Sequence, residues 1–258
     1  MKQPKNKQTI TPKQIEILTL IYRLRFLNRS QIQTMLGHKN HRQIYQWLND
    51  LVEQKYLVCQ KILSYSLVYS LALPSRKVLL NVPEVEPELL KRIWREKNYS
   101  DQFRTHCLVL VDVNLSLIAL TTKAKALLYF YTRTDLYEME HLINPLPDGY
   151  FCIKEGDLSF SRYFIEIFEI LQPKILQKRI NNYFYYYQSE EWQNNMEGKE
   201  FPKVLIVCPS EKMKRYLNYY IGHKLEEDSD LSFYLTTREV IKNKGITSQT
   251  LQKVQVKP

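Results

Sequence analysis

The spacing of apolar residues changes along the chain, and the changes predict the elements. Ile15, Leu18, Ile21 and Tyr22 recur every three or four positions, giving a first helix from Pro12 to about Arg25. Thr11 is placed to cap it, and proline at the first helical position forfeits no hydrogen bond. Asn28 or Ser30 opens a short second helix with Ile32, Met35 and Leu36 inward, and Gly37 ends it. Ile44, Trp47, Leu48 and Leu51 stripe a third helix over about 40–54. The period then shortens to two. Residues 56–63 and 66–73 read as strands of a hairpin, turning near Ser64-Tyr65.

The segment Asn81-Val82-Pro83-Glu84-Val85-Glu86-Pro87-Glu88 interrupts both patterns and marks a boundary near residue 82. A polar helix over about 88–97 follows. Residues 106–120 are apolar at helical spacing, with Asp112 and Asn114 the main polar breaks, and predict a long helix despite three valines. Beyond it the chain alternates. Strands are expected at 126–133, 149–154, 160–169, 203–208 and 232–235, with helices at 175–188 and 211–221. The run Lys203-Val204-Leu205-Ile206-Val207-Cys208 is apolar throughout, as in a strand buried on both faces. Together these elements predict an α/β sandwich built on a mixed sheet.

Charge changes the picture at the N-terminal end. Residues 1–80 hold 13 Lys and Arg against 3 Asp and Glu, so they carry the entire net charge of +10, and the remainder sums to zero. A basic head on a neutral body is the electrostatic footprint of a module that docks on a polyanion. The polar face of the third helix and the turn before it present His38, Lys39, Asn40, Arg42, Gln43, Gln46 and Asn49, with Arg29 at the start of the second helix. These side-chain types bond phosphates and base edges. Three helices followed by a hairpin resemble a winged helix-turn-helix, whose third helix enters the major groove of double-stranded DNA. Lys2, Lys5 and Lys7 then read as a short basic arm rather than part of a secretory signal.

The remaining composition mostly excludes. No uninterrupted apolar run reaches the length of a membrane span, so no membrane association is expected. Cys59, Cys107, Cys152 and Cys208 stand singly, without metal-ligand spacing, and read as reduced residues of a cytoplasmic protein. No glycine-rich phosphate loop is present. The tyrosines at 183 and 185–187 form a helical patch that points all round its axis, a packing arrangement more than a stacking platform. His106 reads as a capping or core residue. Ser210 follows a strand without a nucleophile elbow and reads as a helix cap.

One constellation carries possible chemistry. Pro147-Asp148-Gly149-Tyr150 precedes one strand, and Glu166 lies in the next. A hairpin of this length brings its open ends together, so Asp148 and Glu166 can converge. Two carboxylates at a sheet end are what Mg²⁺ requires, and the metal could activate water toward a phosphodiester. Asp112 is a candidate third acid. Along the strand Phe164, Glu166 and Phe168 share one face.

These motifs resemble the PD-(D/E)XK nuclease core. The fuller series also takes in His106, the Phe164-Ile165-Glu166 strand, a basic helix ending in tyrosines, and Pro202 to Ser210. It resembles the replication-relaxation family of plasmids and mobile elements over nearly the whole chain. That resemblance implies a winged helix-turn-helix at 9–81, a linker and connecting helix at 82–105, a nuclease-like domain at 106–245 and a tail at 246–258. It implies an accessory DNA-binding role in replication or mobilisation, beside a replication or relaxase protein, with a homodimer as one possible state. The pattern departs at Phe168, where the family has an acid and the nuclease core a lysine. Lys174 and Lys178 on the next helix could replace the missing cation. Restoring Phe168 to Lys or Asp would then be expected to raise nicking. A Mg²⁺-dependent endonuclease and a winged-helix transcriptional regulator are the alternative functions.

Overall fold

The computed structural model describes residues 9–62, 65–95, 100–156, 159–196, 199–227 and 229–257. The basic arm at Lys2, Lys5 and Lys7, the turn at Ser64, the end of the 88–97 helix and Asp157 of the second hairpin turn lie outside the described residues. The chain divides into two compact units, residues 1–111 and 112–258.

In the first unit α1 (Pro12–Leu24) begins with a full capping box: the Thr11 side chain accepts from the Gln14 backbone, and Gln14 Oε1 accepts from Thr11 N at 2.9 Å. The two-residue strand β1 (Leu27–Asn28) leads into α2 (Arg29–Met35), which Asn28 and Gln31 cap reciprocally. Gly37 takes a left-handed φ of 60° after α2, a conformation costly for any residue with a Cβ. The turn delivers the chain to α3 (His41–Glu53). Strands β2 (Leu57–Ile62) and β3 (Tyr65–Leu71) form the antiparallel hairpin, and β1 pairs with β3, giving the order β1-β3-β2. Ile17, Leu18, Ile21, Leu27, Ile32, Ile44, Leu48 and Leu51 are wholly buried. Leu18, Ile21, Ile32, Ile44, Leu48 and Leu51 belong to the stripes read from the sequence, Ile17 and Leu27 were not among them, and the predicted Ile15, Met35, Leu36 and Trp47 are only partly buried.

Helix α4 (Ser75–Leu79) and α5 (Pro87–Arg95) follow, then α6 (Asp101–Ala124). The start of α6 belongs to the first unit, where Cys107 and Leu108 pack with Phe26, Ile62 and Val68. There Gln31 Nε2 donates to Leu108 O at 3.0 Å. Helix α6 bears on the membrane expectation without deciding it. It is 24 residues long, and an 18-residue window has a mean hydropathy of 1.6, so by length and composition it could cross a membrane. The scattered polar residues hide this in a search for uninterrupted runs. Half of that window is buried within the protein, including Val111, Val113 and Leu117.

The second unit is a six-stranded sheet of order β4-β5-β6-β7-β8-β9. Its strands are β4 (Leu127–Thr132), β5 (Gly149–Glu155), β6 (Ser159–Ile167), β7 (Lys203–Cys208), β8 (Phe233–Thr237) and β9 (Gln252–Lys253). Strands β4, β5 and β6 are antiparallel, β6, β7 and β8 parallel, and β9 antiparallel to β8. The two parallel connections contain α8 (Pro173–Gln188) and α10 (Glu211–Gly222). Their apolar stripes, Leu176, Ile180 and Tyr183 on one and Leu217 and Ile221 on the other, share a core with Phe164, Val204, Ile206, Phe233 and Leu235. Short helices α7 (Arg133–Leu136), α9 (Glu191–Asn195) and α11 (Arg238–Lys244) complete the unit. The architecture is mixed α/β with a mixed sheet, as expected. Strands β1 and β9 and helices α4, α7, α9 and α11 were not expected. Each is 7 residues or shorter, too brief to show a period.

Candidate functional site

The first candidate surface is the outer side of α3. Ile44, Leu48 and Leu51 turn inward and leave Arg42, Tyr45 and Gln46 exposed, with Gln43 half-buried. Lys39 and Arg29 are exposed as well, at the turn before α3 and the first position of α2. Lys39 and Arg42 make no ion pair among the described residues. Asn40 has a local task instead: its Oδ1 accepts from the backbone N–H of Arg42 at 3.0 Å and of Gln43 at 3.3 Å, capping α3. Its side-chain carbonyl is therefore committed to the helix terminus. His38 is fixed against Trp47, ring centroids 5.1 Å apart. Tyr45, 49% exposed on this face, is an aromatic that sequence reading passed over.

The second candidate lies where β5 begins and β6 ends. Gly149 faces Ile165 across the ladder, which places Asp148 at the ladder's next step, beside Glu166. Asp148 N donates to Ile165 O at 3.0 Å, and Asp148 Oδ2 accepts from Ile167 N at 2.8 Å. That carboxylate extends the sheet by standing in for a backbone carbonyl. Glu166 is only 2% exposed and points to α8. There Arg179 binds it through both oxygens: Nε to Oε2 at 2.9 Å and Nη2 to Oε1 at 2.6 Å. The Tyr183 hydroxyl also donates to Oε1. Arg179 reaches further, giving Nη1 to Pro145 O at 2.6 Å and Nη2 to Leu146 O at 2.7 Å. One guanidinium thus joins the end of β6, the loop before β5 and α8. This fork geometry is specific to arginine.

Burial is the largest influence on Glu166 and pushes its pKa up to about 7. The Arg179 charge opposes that rise, and the Asp148 carboxylate adds to it. Burial also opposes the Arg179 charge, yet the Glu166 carboxylate and the Tyr183 hydroxyl hold its pKa above the ordinary arginine value. Tyr183 is shifted well upward, first by burial and then by the Glu166 charge.

The predicted pair therefore meets, but the cation beside it is Arg179. Lys174 and Lys178 are exposed on α8. The partly buried Arg179 and the buried Tyr183 stand four residues apart on that helix, which was the available signal. Asp112 lies partly buried in α6, and among the described residues no group of three or more His, Cys, Asp or Glu is gathered to hold a metal. The donors do not fit Mg²⁺: both Glu166 oxygens are bound by arginine, and one Asp148 oxygen by a backbone N–H. Phe168 sits past the end of β6, 4% exposed, in the core with Leu176 and Ile180. A Lys or Asp there would enter an apolar core, so restoring the motif at this position no longer leads to an expectation of nicking. A second ion pair closes the strand end, Arg238 Nη2 to Glu169 Oε1 at 2.5 Å. Ser210 caps α10, accepting from Met213 N at 3.3 Å.

Fold and site define a mixed α/β protein whose basic, largely helical first unit precedes a sheet with a sealed carboxylate. The chain belongs to the replication-relaxation family, whose family model matches residues 18–204. Membership points to a role in the replication or mobilisation of a plasmid or other mobile element. No curated protein and no solved structure matches the chain.

Proposed function

We propose that this protein is a duplex-DNA-binding accessory factor in replication or mobilisation, acting in the cytoplasm beside a replication or relaxase protein. Its first unit is the binding module, a winged helix-turn-helix. The observation that carries this reading is the exposed face of α3, where Arg42 and Gln46 stand clear beside Lys39 on a segment holding all the net charge. The element order α1-β1-α2-α3-β2-β3 and the sheet order β1-β3-β2 support it, since that arrangement leaves α3 free for a groove and β2-β3 as the wing. The second unit serves as a nuclease-like scaffold. Arg179 supports this over cleavage, because it fills the position beside Glu166 that a catalytic cation would need.

The test is duplex binding by the full chain across a salt series. If about five phosphates are neutralised, log K falls with log salt at a slope of about −4 to −5. Arg42→Ala lowers affinity and relaxes base preference, by about 1–3 kcal/mol at the contacted position. Supercoiled plasmid stays intact with Mg²⁺. A flat salt dependence, or an unchanged selected site for Arg42→Ala, refutes the binding module. Nicking lost in Asp148→Ala refutes the scaffold reading.

A further inference from the structure

A cavity of about 390 Å³ opens beside β4, β5 and β6 within the second unit. Its floor follows from register. Tyr131 faces Tyr150, Tyr129 faces Cys152, and Cys152 faces Arg162, so these side chains project from one face of β4-β5-β6. Trp192 of α9 forms a wall, its ring 6.0 Å from that of Tyr150, and Tyr150 lies 5.8 Å from Tyr131. The indole is held in place: Nε1 donates to Lys199 O and Glu200 O, both at 3.1 Å. Tyr129 is 45% exposed, so its ring is open to a ligand. Arg162 rests over the Phe160 ring at 5.1 Å. Arg162 and Lys199 both line the cavity, and among the described residues no Asp or Glu does.

We propose that this cavity binds one unstacked nucleotide of single-stranded DNA. Several aromatic rings and two cations, with no acid among the described lining residues, call for a ligand with both a flat π face and a negative charge. A nucleotide has both: the base stacks on the exposed Tyr129 or on Tyr131, and the phosphate lies toward Arg162 and Lys199. A purely apolar ligand gains nothing from the cations. A base within a duplex presents only its edges, so the strand must be open. This site concerns the other unit and another form of DNA than the duplex reading, and it does not depend on that reading.

The experiment uses the full chain and a short thymidine oligonucleotide carrying one 5-iodouracil, irradiated and mapped by mass spectrometry. Adducts are expected on Tyr129, Tyr131 or Tyr150. Tyr129→Ala combined with Lys199→Ala should weaken oligonucleotide binding about 5- to 100-fold and leave duplex binding unchanged. Lys199→Glu alone, at an exposed side chain, should weaken it in the same direction without touching the sheet. Thymidine monophosphate should bind more tightly than thymidine. Adducts confined to residues 1–111, no adducts, affinity unmoved by either variant, or equal binding of thymidine and its monophosphate would each overturn the proposal. Loss of duplex binding in Arg42→Ala tests the first unit separately, so the two failures can be told apart.

Discussion

In the first unit Lys39 and Arg42 stand exposed around the start of α3, while in the second Arg179 of α8 is closed onto the buried Glu166. An exposed cation keeps its hydration and its long-range field, so it attracts a polyanion and responds to salt. A cation forked onto a buried carboxylate has its field cancelled within a few ångströms. Its effect is local, and removing one partner strands the other in a low dielectric. The same residue type therefore serves recognition in one unit and architecture in the other. Sequence charge alone does not separate them, because Arg42 and Arg179 each lie on a helix among polar neighbours.

Removing the largely buried Arg179 should have the largest effect. Arg179→Ala should destabilise the second unit by about 3–5 kcal/mol, since Glu166 loses its bidentate partner and two loop carbonyls lose their donor. Urea unfolding of the variant measures it. Replacing both partners, Arg179→Met with Glu166→Leu, should recover most of that loss, because two apolar groups leave no orphaned charge. A single variant as stable as wild type would mean that Arg179 is not structural, and the nuclease reading would regain ground.

A smaller effect should appear with pH. Glu166 has its pKa raised to about 7 by burial, so between about 4.5 and about 7 the folded state holds a proton that the unfolded chain has lost. Stability from this group is complete below about pH 4.5 and declines as pH rises through about 7, by up to a few kcal/mol. Glu166→Gln cannot titrate, so its stability, lower overall, should not show that decline. The check is the difference in urea midpoint between wild type and variant across that window. A difference that stays constant with pH would mean that Glu166 remains ionised throughout, held by Arg179.

How far these features were legible in the sequence depended on their length. Thr11, Asn28 and Gly37 act through bonds within three or four residues and could be read directly, whereas the equally local cap at Asn40 was read as a DNA contact. The strand at 203–208 announced itself by unbroken apolarity. Strand β1, two residues long, exists only because β3 lies beside it, and β9 only because β8 does. No local pattern encodes such pairings. The meeting of Asp148 and Glu166 was legible from hairpin geometry. Their counterion was not, because the search was for a lysine close to the broken motif. Arg179 sits thirteen residues beyond Glu166, and its role depends on the tertiary path of α8.

The smallest effect, and the most direct contrast with Arg179, belongs to two lysines of the same helix. Lys174 and Lys178 are exposed, and Lys178 is the immediate neighbour of the buried arginine. A helix turns by about 100° per residue, so adjacent positions face different surroundings. Lys174→Ala and Lys178→Ala should each change stability by no more than about 0.5 kcal/mol, as surface substitutions do. Neither should alter the pH dependence assigned to Glu166. The same urea titrations provide the check. If Lys178→Ala instead reproduced the loss expected of Arg179→Ala, the cation serving Glu166 would be the lysine. The sealed site would then be an open one, with a mobile ammonium where the fold places a fixed guanidinium.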